Sequence, residues 1–505
     1  MFKLLKLELK GHQILGDLKL DFVNEGEENN GPYSTIIIGP NGTGKSNILR
    51  ALVDVYRDLY EYKFNGKRPR YTTGKFNLEF ELENINYRYS NFNRLTFITK
   101  NGKETAPAFL EINGEKDDYR YAKFPNKIIA SSILLNDKFP FIEEKEEFEN
   151  KIFPIYKYLG IRSSSSSAGT KTLVKRTVSS IVDAIDRDGF MDSLGEVLET
   201  LDLKQSFRIE YDLRYKTYFY DGNLTVDKFN DFFINWRKHT NRKTDPWTLG
   251  HYKKISSDKA NVSKIVDFMN TLSARMKSPE EGSRLRVISY DIFEDNSMRE
   301  EYPILLELSK LDLIKFPKIK LFKRGKSFSL ETSSSGEFHF ISSLITIFSE
   351  AENNSLILID EPEISLHPNW QMRYVHLLKK LFKNSSGVHF IICTHSHFII
   401  SDSKGDTSAV ITLKNGETVE AELLDYNTYG WSAEDVLLNV FGVATSRNKF
   451  LADKISNLLK LIGNGENSSG EIKRELIQVK QLGLQLKNVD PLKKIISTLT
   501  EKYLG

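Results

Sequence analysis

Apolar residues along this chain recur at two different periods, and the places where the period changes outline its organisation. Over 2–10 (FKLLKLELK) and 17–23 (DLKLDFV) apolar and polar positions alternate, which predicts two half-buried strands. Thr35-Ile36-Ile37-Ile38 is an apolar run that reads as a buried strand, and Asn47 to Tyr60 has helical spacing. Between 75 and 122 come short alternating stretches, FNLEFEL, INYRYS, RLTFITK, AFLEI and YRYAKF. Asn101-Gly102 and Asn113-Gly114 are turn signals, so antiparallel strands are expected there. Lys127 to Leu134 (KIIASSIL) predicts a further buried strand.

The middle third reads differently. Residues 172–202 and 259–276 are helix-like, with strand-like Phe207 to Tyr215 between them, and the serine-rich Arg162 to Thr170 predicts a loop. From about Lys318 an α/β alternation returns. An apolar helical run, Phe338 to Ser349, leads to SLILIDEPEISLHP (Ser355 to Pro368), an amphipathic segment, Trp370 to Phe382, and VHFIICTHS (Val388 to Ser396). Strand, helix and strand in that order predict a βαβ unit of a mainly parallel sheet. Residues 409–424 read as two short strands around Asn415-Gly416, and the rest is mostly helical with lysine-rich faces. The expected division is an N-terminal lobe (1–135), a largely helical insertion (136–317), a C-terminal lobe (318–425) and a helical region (426–505).

Placed on these elements, one stretch carries specific chemistry. GPNGTGKS, Gly39 to Ser46, sits between the Thr35–Ile38 strand and the following helix, which is the context that makes G-x-x-x-x-G-K-[ST] a phosphate loop. Gly39, Gly42 and Gly44 let the backbone curl so that its N–H groups converge on phosphate oxygens, beside the positive end of the helix. Lys45 is expected to reach the β- and γ-phosphates of ATP and Ser46 to ligate Mg²⁺. Asn41, Thr43 and Asn47 are candidate nucleotide contacts on the same stretch. LILID delivers Asp360 to the C-terminal end of a buried strand, where α/β sheets bind ligands. There Asp360 is expected to complete the Mg²⁺ shell and Glu361 to polarise the attacking water. Thr394-His395-Ser396 ends the next strand, which puts His395 within reach of a γ-phosphate. Ser333-Ser334-Ser335-Gly336-Glu337 opens an apolar helix, a second anion-binding start that by itself is only a capping box of Ser334 with Glu337.

Bulk properties narrow the classes. The 505 residues suffice for two to four domains, and the net charge of +3 is too mild to argue nucleic-acid binding, so any basic patch must be local. FNGKRPR (Phe64 to Arg70) and WRKHTNRK (Trp236 to Lys243) are the local basic stretches. Cys393 is the single cysteine, so no disulfide forms within the chain, which fits a reducing compartment. The N-terminal MFKLLKLELKGH lacks a continuous apolar region, and no run approaches the ~18 apolar residues of a membrane span. A soluble cytoplasmic protein without membrane contact is expected.

Together these motifs resemble the ABC-type ATPases of the RecF/SMC/OLD-like branch. GPNGTGKS is similar to Walker A, SSSGE to a degenerate signature, LILIDEP to Walker B, SLHP (Ser365 to Pro368) to the D-loop and THS to the switch histidine. The resemblance covers roughly 1–135 and 318–425. It implies an ABC-ATPase head: a mixed sheet with the P-loop, an antiparallel β subdomain, a helical insertion and a helical tail. It also implies ATP and Mg²⁺ as cofactors, Glu361 and His395 as catalytic residues, and a dimer or higher homo-oligomer in which Ser334 and Gly336 act on nucleotide held by the partner's Lys45. Two departures stand out: Ser335 replaces the first signature glycine, and no clean Q-loop glutamine follows KIIASSIL, Asn136 being the nearest candidate. LLNDKFPF, YKYLGIRSSSSSAGT and SLHPNWQ narrow the resemblance to PtuA-type ATPases of Septu and retron antiphage systems, which implies a separate HNH nuclease partner. Asp402, Asp406, Glu417 and Glu420 lack the glutamate–glycine strand end of the Toprim nuclease that OLD relatives carry. The expected function is therefore an ATPase subunit controlling a partner nuclease. A repair ATPase that binds DNA directly and a non-hydrolysing ATP-dependent scaffold are the alternatives.

Overall fold

The structure is a computed structural model that describes residues 1–24, 31–65, 74–92, 96–99, 102–105, 108–141, 153–162, 170–220, 222–240, 245–275, 287–401, 406–416, 418–424, 428, 430–431, 435–436, 449–463, 469–483 and 491–504. By internal contacts the chain divides into two compact units, Met1–Tyr429 and Gly430–Gly505.

The first unit is built on a seven-stranded sheet. Its order is Tyr156–Tyr158, Lys127–Ser132, Ser355–Asp360, His389–Thr394, Tyr33–Ile38, Ser408–Asn415 and Val419–Leu423. All neighbours are parallel except the last pair, which is antiparallel. All six residues of Tyr33–Ile38, Ser355–Asp360 and His389–Thr394 are buried, as expected of strands covered on both faces. Ser132 pairs with Asp360, Asp360 with Cys393, and Thr394 with Ile38, so four strand ends lie side by side at the C-terminal edge. That edge is where parallel sheets hold their ligands.

A second sheet, antiparallel and six-stranded, runs Gly16–Asp21, Phe2–His12, Lys75–Leu82, Ile85–Ser90, Phe109–Ile112, Glu115–Asp117. Asn113-Gly114 turns the last hairpin with both residues at positive φ (49° and 85°), as a two-residue turn requires. Glu83-Asn84 does the same between Lys75–Leu82 and Ile85–Ser90, at φ 56° and 63°, with a glutamate that carries no turn signal. The Lys45–Asn65 helix packs with both sheets, and one core joins Leu7, Phe80, Leu52, Tyr56, Leu358 and Ile391.

Between the two lobes the described residues are mostly helical, and they also contribute strands to a further sheet. A four-stranded antiparallel sheet orders Val287–Asp291, Phe207–Asp212, Lys318–Lys323 and Lys326–Ser329. Ile209 pairs with both Tyr290 and Ile319, closing one apolar face. The expected division at 317/318 therefore runs through a sheet: the alternation over 318–329 completes the insertion's fold before the α/β lobe resumes. Trp236 of the basic WRKHTNRK stretch is buried among Phe232, Phe233 and Tyr215, so it presents no ring to a nucleic acid. Residues 241–244 of that stretch, 66–70 of FNGKRPR and 163–169 of the serine-rich stretch lie outside the described residues.

The second unit packs Lys449–Gly463, Ser469–Gly483 and Pro491–Leu504 around Ile455, Leu458, Leu476, Val479 and Ile496. Its spacing of one apolar residue every three or four positions accounts for the three helices. Among the described residues no helix is long and apolar enough to cross a membrane.

His389 joins the two sheets. Its Nδ1 accepts from the Leu4 N–H at 3.0 Å, which fixes the tautomer, and Nε2 is 2.8 Å from the Thr35 hydroxyl. Thr35 in turn donates to the Phe22 carbonyl at 2.6 Å. Complete burial pushes the imidazolium pKa down to about 3. A proton is taken up by the unfolded chain near ~6.5 and by the folded chain only far below, so this stability is present above ~6.5 and lost as pH falls. Replacing His389 by Gln, which can keep both hydrogen bonds without titrating, should flatten the fall of unfolding free energy with pH. Between about pH 6 and 4 the difference in slope is expected to be at most about 1.4 kcal/mol per pH unit. Urea unfolding at several pH values measures it, and identical slopes would contradict the neutral-histidine account.

Candidate functional site

At the C-terminal edge of the parallel sheet, the chain leaves Ile38 through a loop that only glycine serves well. Gly42 and Gly44 have φ of 86° and 84°, and a Cβ on Gly39 would lie 2.8 Å from the Leu413 carbonyl oxygen. Thr43 closes the loop by donating its hydroxyl to Pro40 O at 2.9 Å. The helix begins at Lys45, aiming its first N–H groups at the loop's interior.

Lys45 is 5% exposed, and its ammonium donates to Gly39 O at 2.8 Å and Pro40 O at 3.2 Å. It also lies 3.3 Å from Nδ1 of His395. Burial draws its pKa down, and the carboxylates of Glu361 and Asp360 act against that pull. Ser46 donates its hydroxyl to Oδ1 of Asp360 at 3.0 Å, so the strand two places away in the sheet meets the loop directly. Asp360 is 1% exposed, and burial, reinforced by Glu361 and Asp137, pushes its carboxyl pKa up to about 7. Its Oδ2 is buried without a hydrogen-bond partner among the described residues. A buried carboxylate with one free oxygen beside a serine hydroxyl could hold a cation there.

Glu361 follows with φ 49°, a left-handed backbone uncommon outside glycine, held by its N–H to Cys393 O at 2.9 Å. Its Oε1 lies 3.5 Å from Nε2 of His395, and that histidine keeps its carboxyl below the ordinary range. Lys45, His395 and Glu361 thus form one chain of contacts. Asn41 is exposed and Asn47 half-buried on the same loop and helix.

Two residues absent from the sequence reading hold this arrangement. Glu363 Oε1 accepts from the His395 N–H at 2.6 Å, fixing the histidine's backbone. Gln371 donates to the carbonyls of Glu363 (3.3 Å) and Leu366 (2.9 Å) and accepts from the Ser396 hydroxyl at 2.6 Å. It ties the segment after Asp360 to the segment after His395. The only signal for either was the shared run EPEISLHPNWQ.

Ser334 and Gly336 make no hydrogen bond to the cluster among the described residues. Ser334 is exposed and caps the Ser335–Glu350 helix, accepting from the Glu337 N–H at 3.2 Å. Gly336 is buried where a Cβ would come within 2.0 Å of the Ser365 carbonyl oxygen of this same chain. That close approach alone accounts for glycine there. Ser365 has φ 64°, so its carbonyl is aimed by a left-handed turn. Asn136 is exposed, while its neighbour Asp137 is buried in an ion pair with Arg162. Asp402 and Glu417 lie outside the described residues, and among the described residues no cluster of His, Cys, Asp and Glu suits a metal.

Residues 34–401 match the AAA_21 family, described as AAA domain, putative AbiEii toxin, Type IV TA system. The Septu protein PtuA of Bacillus thuringiensis is 26% identical over 153 residues, 29% of this chain and 36% of that protein. The Retron Ec83 probable ATPase of Escherichia coli is 33% identical over 109 residues, 22% of this chain and 18% of that protein. The Retron Vc95 probable ATPase of Vibrio cholerae serotype O1 biovar El Tor is 25% identical over 242 residues, 43% of this chain and 44% of that protein. The chain spans less than half the length of each of these curated relatives. The SMC head domain from Thermotoga maritima aligns at a TM-score of 0.36 and 12% identity, over 84% of this chain and 100% of that one, too loosely to inform the site.

The Gly336–Ser365 contact makes a prediction of its own. Gly336→Ala should push the helix start away from the turn and lower the unfolding free energy by about 1–3 kcal/mol. Thermal and urea unfolding measure this, and an unchanged stability would show that the two segments have room to separate.

Proposed function

Because the chain belongs to the AAA_21 family, whose match runs through both halves of the site, we propose that it is an ATP-binding and hydrolysing subunit of an antiphage defence complex. In this reading two chains pair head to tail around ATP and control a separate nuclease, an HNH enzyme being the favoured partner. The observation that carries the ATPase part is the Ser46–Asp360 hydrogen bond of 3.0 Å beside the Lys45–His395–Glu361 chain. The defence setting is supported by the curated relatives, which include a Septu protein and two retron proteins named as probable ATPases.

Bound ATP with Mg²⁺ supplies the phosphoanhydride to be cleaved and a cation that neutralises phosphate charge. The residues present fit that group. Ser46 and Asp360 are the candidate metal ligands, and the free Asp360 Oδ2 is the atom without another partner. Lys45 exchanges the Gly39 and Pro40 carbonyls for phosphate oxygens, a stronger charge-assisted contact. The positive-φ glycines let the loop's N–H groups face the same oxygens. Glu361 stays ionised beside His395 and accepts a proton from water as its oxygen bonds to the γ-phosphorus and the bridging oxygen departs with ADP. His395 orients Glu361 and is itself fixed by Glu363. Ser334 and Gly336 complete the site of the opposing chain, their helix start offering N–H groups to the γ-phosphate.

Lys45→Ala should abolish ATP binding, because it removes the charge that the loop directs at the phosphates; fluorescent-nucleotide titration measures it, and wild-type affinity would sink the assignment. Glu361→Gln should retain ATP and slow turnover by ~10²–10⁴-fold, the usual effect of losing a positioned base. Steady-state phosphate release decides that point, and unchanged turnover would move the role to another group. The paired arrangement has a separate test in mixed dimers. Ser334→Arg chains and Lys45→Ala chains, each inactive alone, should partly restore hydrolysis when mixed, since one intact composite site forms. Absence of any restoration, with both variants folded and associating, would contradict a shared site.

A further inference from the structure

The turn between the first two strands lies against the phosphate loop, and a histidine holds its shape. Phe2–His12 and Gly16–Asp21 pair antiparallel, with a register shift between Leu9 and His12. Within the turn, Nδ1 of His12 accepts from the N–H groups of Ile14, at 3.2 Å, and Leu15, at 3.1 Å. An accepting Nδ1 leaves the ring proton on Nε2, so the neutral imidazole is the form that fits. The Gly11 N–H donates to Oδ1 of Asp17 at 2.7 Å and closes the base of the turn. Backbone N–H groups held by two side chains thus fix the turn, while Ile14 itself is exposed.

What this turn carries is Leu15. Its side chain is buried in the core that also holds Ile48 and Leu413. It sits directly on the glycine before Lys45: a Cβ on Gly44 would collide with Leu15 Cδ2. Gly44 has φ 84°, and its carbonyl accepts from the Ile48 N–H at 3.0 Å, a bond that opens the Lys45–Asn65 helix. At the other end of the loop, Gly39 meets the Leu413 carbonyl. The phosphate loop is therefore confined at both ends by leucines, one of them delivered by the turn. A loop confined before its ligand arrives has less ordering to lose on binding.

We propose that His12 is a positioning residue for the phosphate loop: by accepting the Ile14 and Leu15 N–H groups, it holds the turn that seats Leu15 on Gly44. The proposal rests on the reading of Gly39 to Ser46 as a nucleotide loop. His12 touches no nucleotide in this scheme and acts through Leu15. The charged groups acting on its ring are Asp54 and Arg50 of the Lys45–Asn65 helix, 3.3 Å from each other, and Asp17 closes the same turn. Burial draws the imidazole pKa below its ordinary value, against the pull of Asp54 and with the help of Arg50. The ring is therefore neutral at neutral pH, where Nδ1 accepts. Protonation at lower pH puts an N–H where two backbone N–H groups already point, so both bonds are lost and Leu15 loses its seat. The support given to the loop is present above the imidazole pKa and lost as pH falls through it.

Calorimetric titration of the full chain with ATP and Mg²⁺, repeated from about pH 7.5 down to about 5.5, tests it. At the upper pH, His12→Ala should bind about tenfold more weakly than the wild type, since two hydrogen bonds are lost. His12→Asn should restore most of that loss, because its side-chain oxygen accepts from nearby backbone N–H groups without titrating. As pH falls, wild-type affinity should drop toward that of His12→Ala, more steeply than the affinity of His12→Asn, which shares every other titrating group. Leu15→Val should weaken binding in the wild type and have little effect in His12→Ala, where that side chain has already left Gly44. Wild-type affinity in His12→Ala, parallel pH profiles in the wild type and His12→Asn, or an equal effect of Leu15→Val in both backgrounds overturns the proposal. Absence of ATP binding by the wild type would instead overturn the nucleotide reading on which it rests.

Discussion

Desolvated charge at the ends of parallel strands is the constraint around which this molecule is arranged. An ammonium, Lys45, and a carboxylate, Asp360, are both nearly excluded from solvent, and each is pushed toward its neutral form by burial. Such groups are tolerated only where fixed dipoles and opposite charges stand close by. Here the dipoles are the carbonyls of Gly39 and Pro40, the serine hydroxyl and the helix start, and the charges come from two strands that the sheet order brings near the loop. In the proposed reading, this preorganisation leaves little to rearrange when a polyanion and a cation arrive.

The rest of the first unit serves that edge. The antiparallel sheet and the Lys45–Asn65 helix share one core with the parallel sheet, so the loop is anchored on both sides. His389 locks the two sheets together from the start of the strand that ends at Thr394, just before His395. Glu363 and Gln371 then fix the two segments that leave the neighbouring strand ends. Precision at Glu361 and His395 therefore derives from backbone hydrogen bonds and buried side chains several residues away.

Much of this was legible in the sequence because strong local signals and tertiary context agree. Unbroken apolar runs ending in Asp360 and Thr394 could only be covered strands, and Asn113-Gly114 could only be a tight turn. The signals failed where partners are far apart in sequence. The strands over 318–329 resemble the start of a new lobe until they are paired with Phe207–Asp212, more than a hundred residues earlier. Asp137 looked like a neighbour of the candidate Asn136, and only its pairing with Arg162 shows which of the two faces inward. Glu363 and Gln371 carry no motif, because their role is to hold backbone atoms. Gly336 was read as a ligand contact, and the structure adds a packing reason, the Ser365 carbonyl, that no single-residue pattern reveals.

The central claim is that Asp360 and the P-loop form one site for a metal-bound nucleotide. Calorimetric titration of the full chain with ATP, in Mg²⁺ and then in excess chelator, tests it most directly when repeated with Asp360→Asn. The account predicts one ATP per chain, with an affinity that weakens on removing Mg²⁺ in the wild type and is nearly independent of Mg²⁺ in Asp360→Asn. Equal Mg²⁺ dependence in both proteins would contradict it.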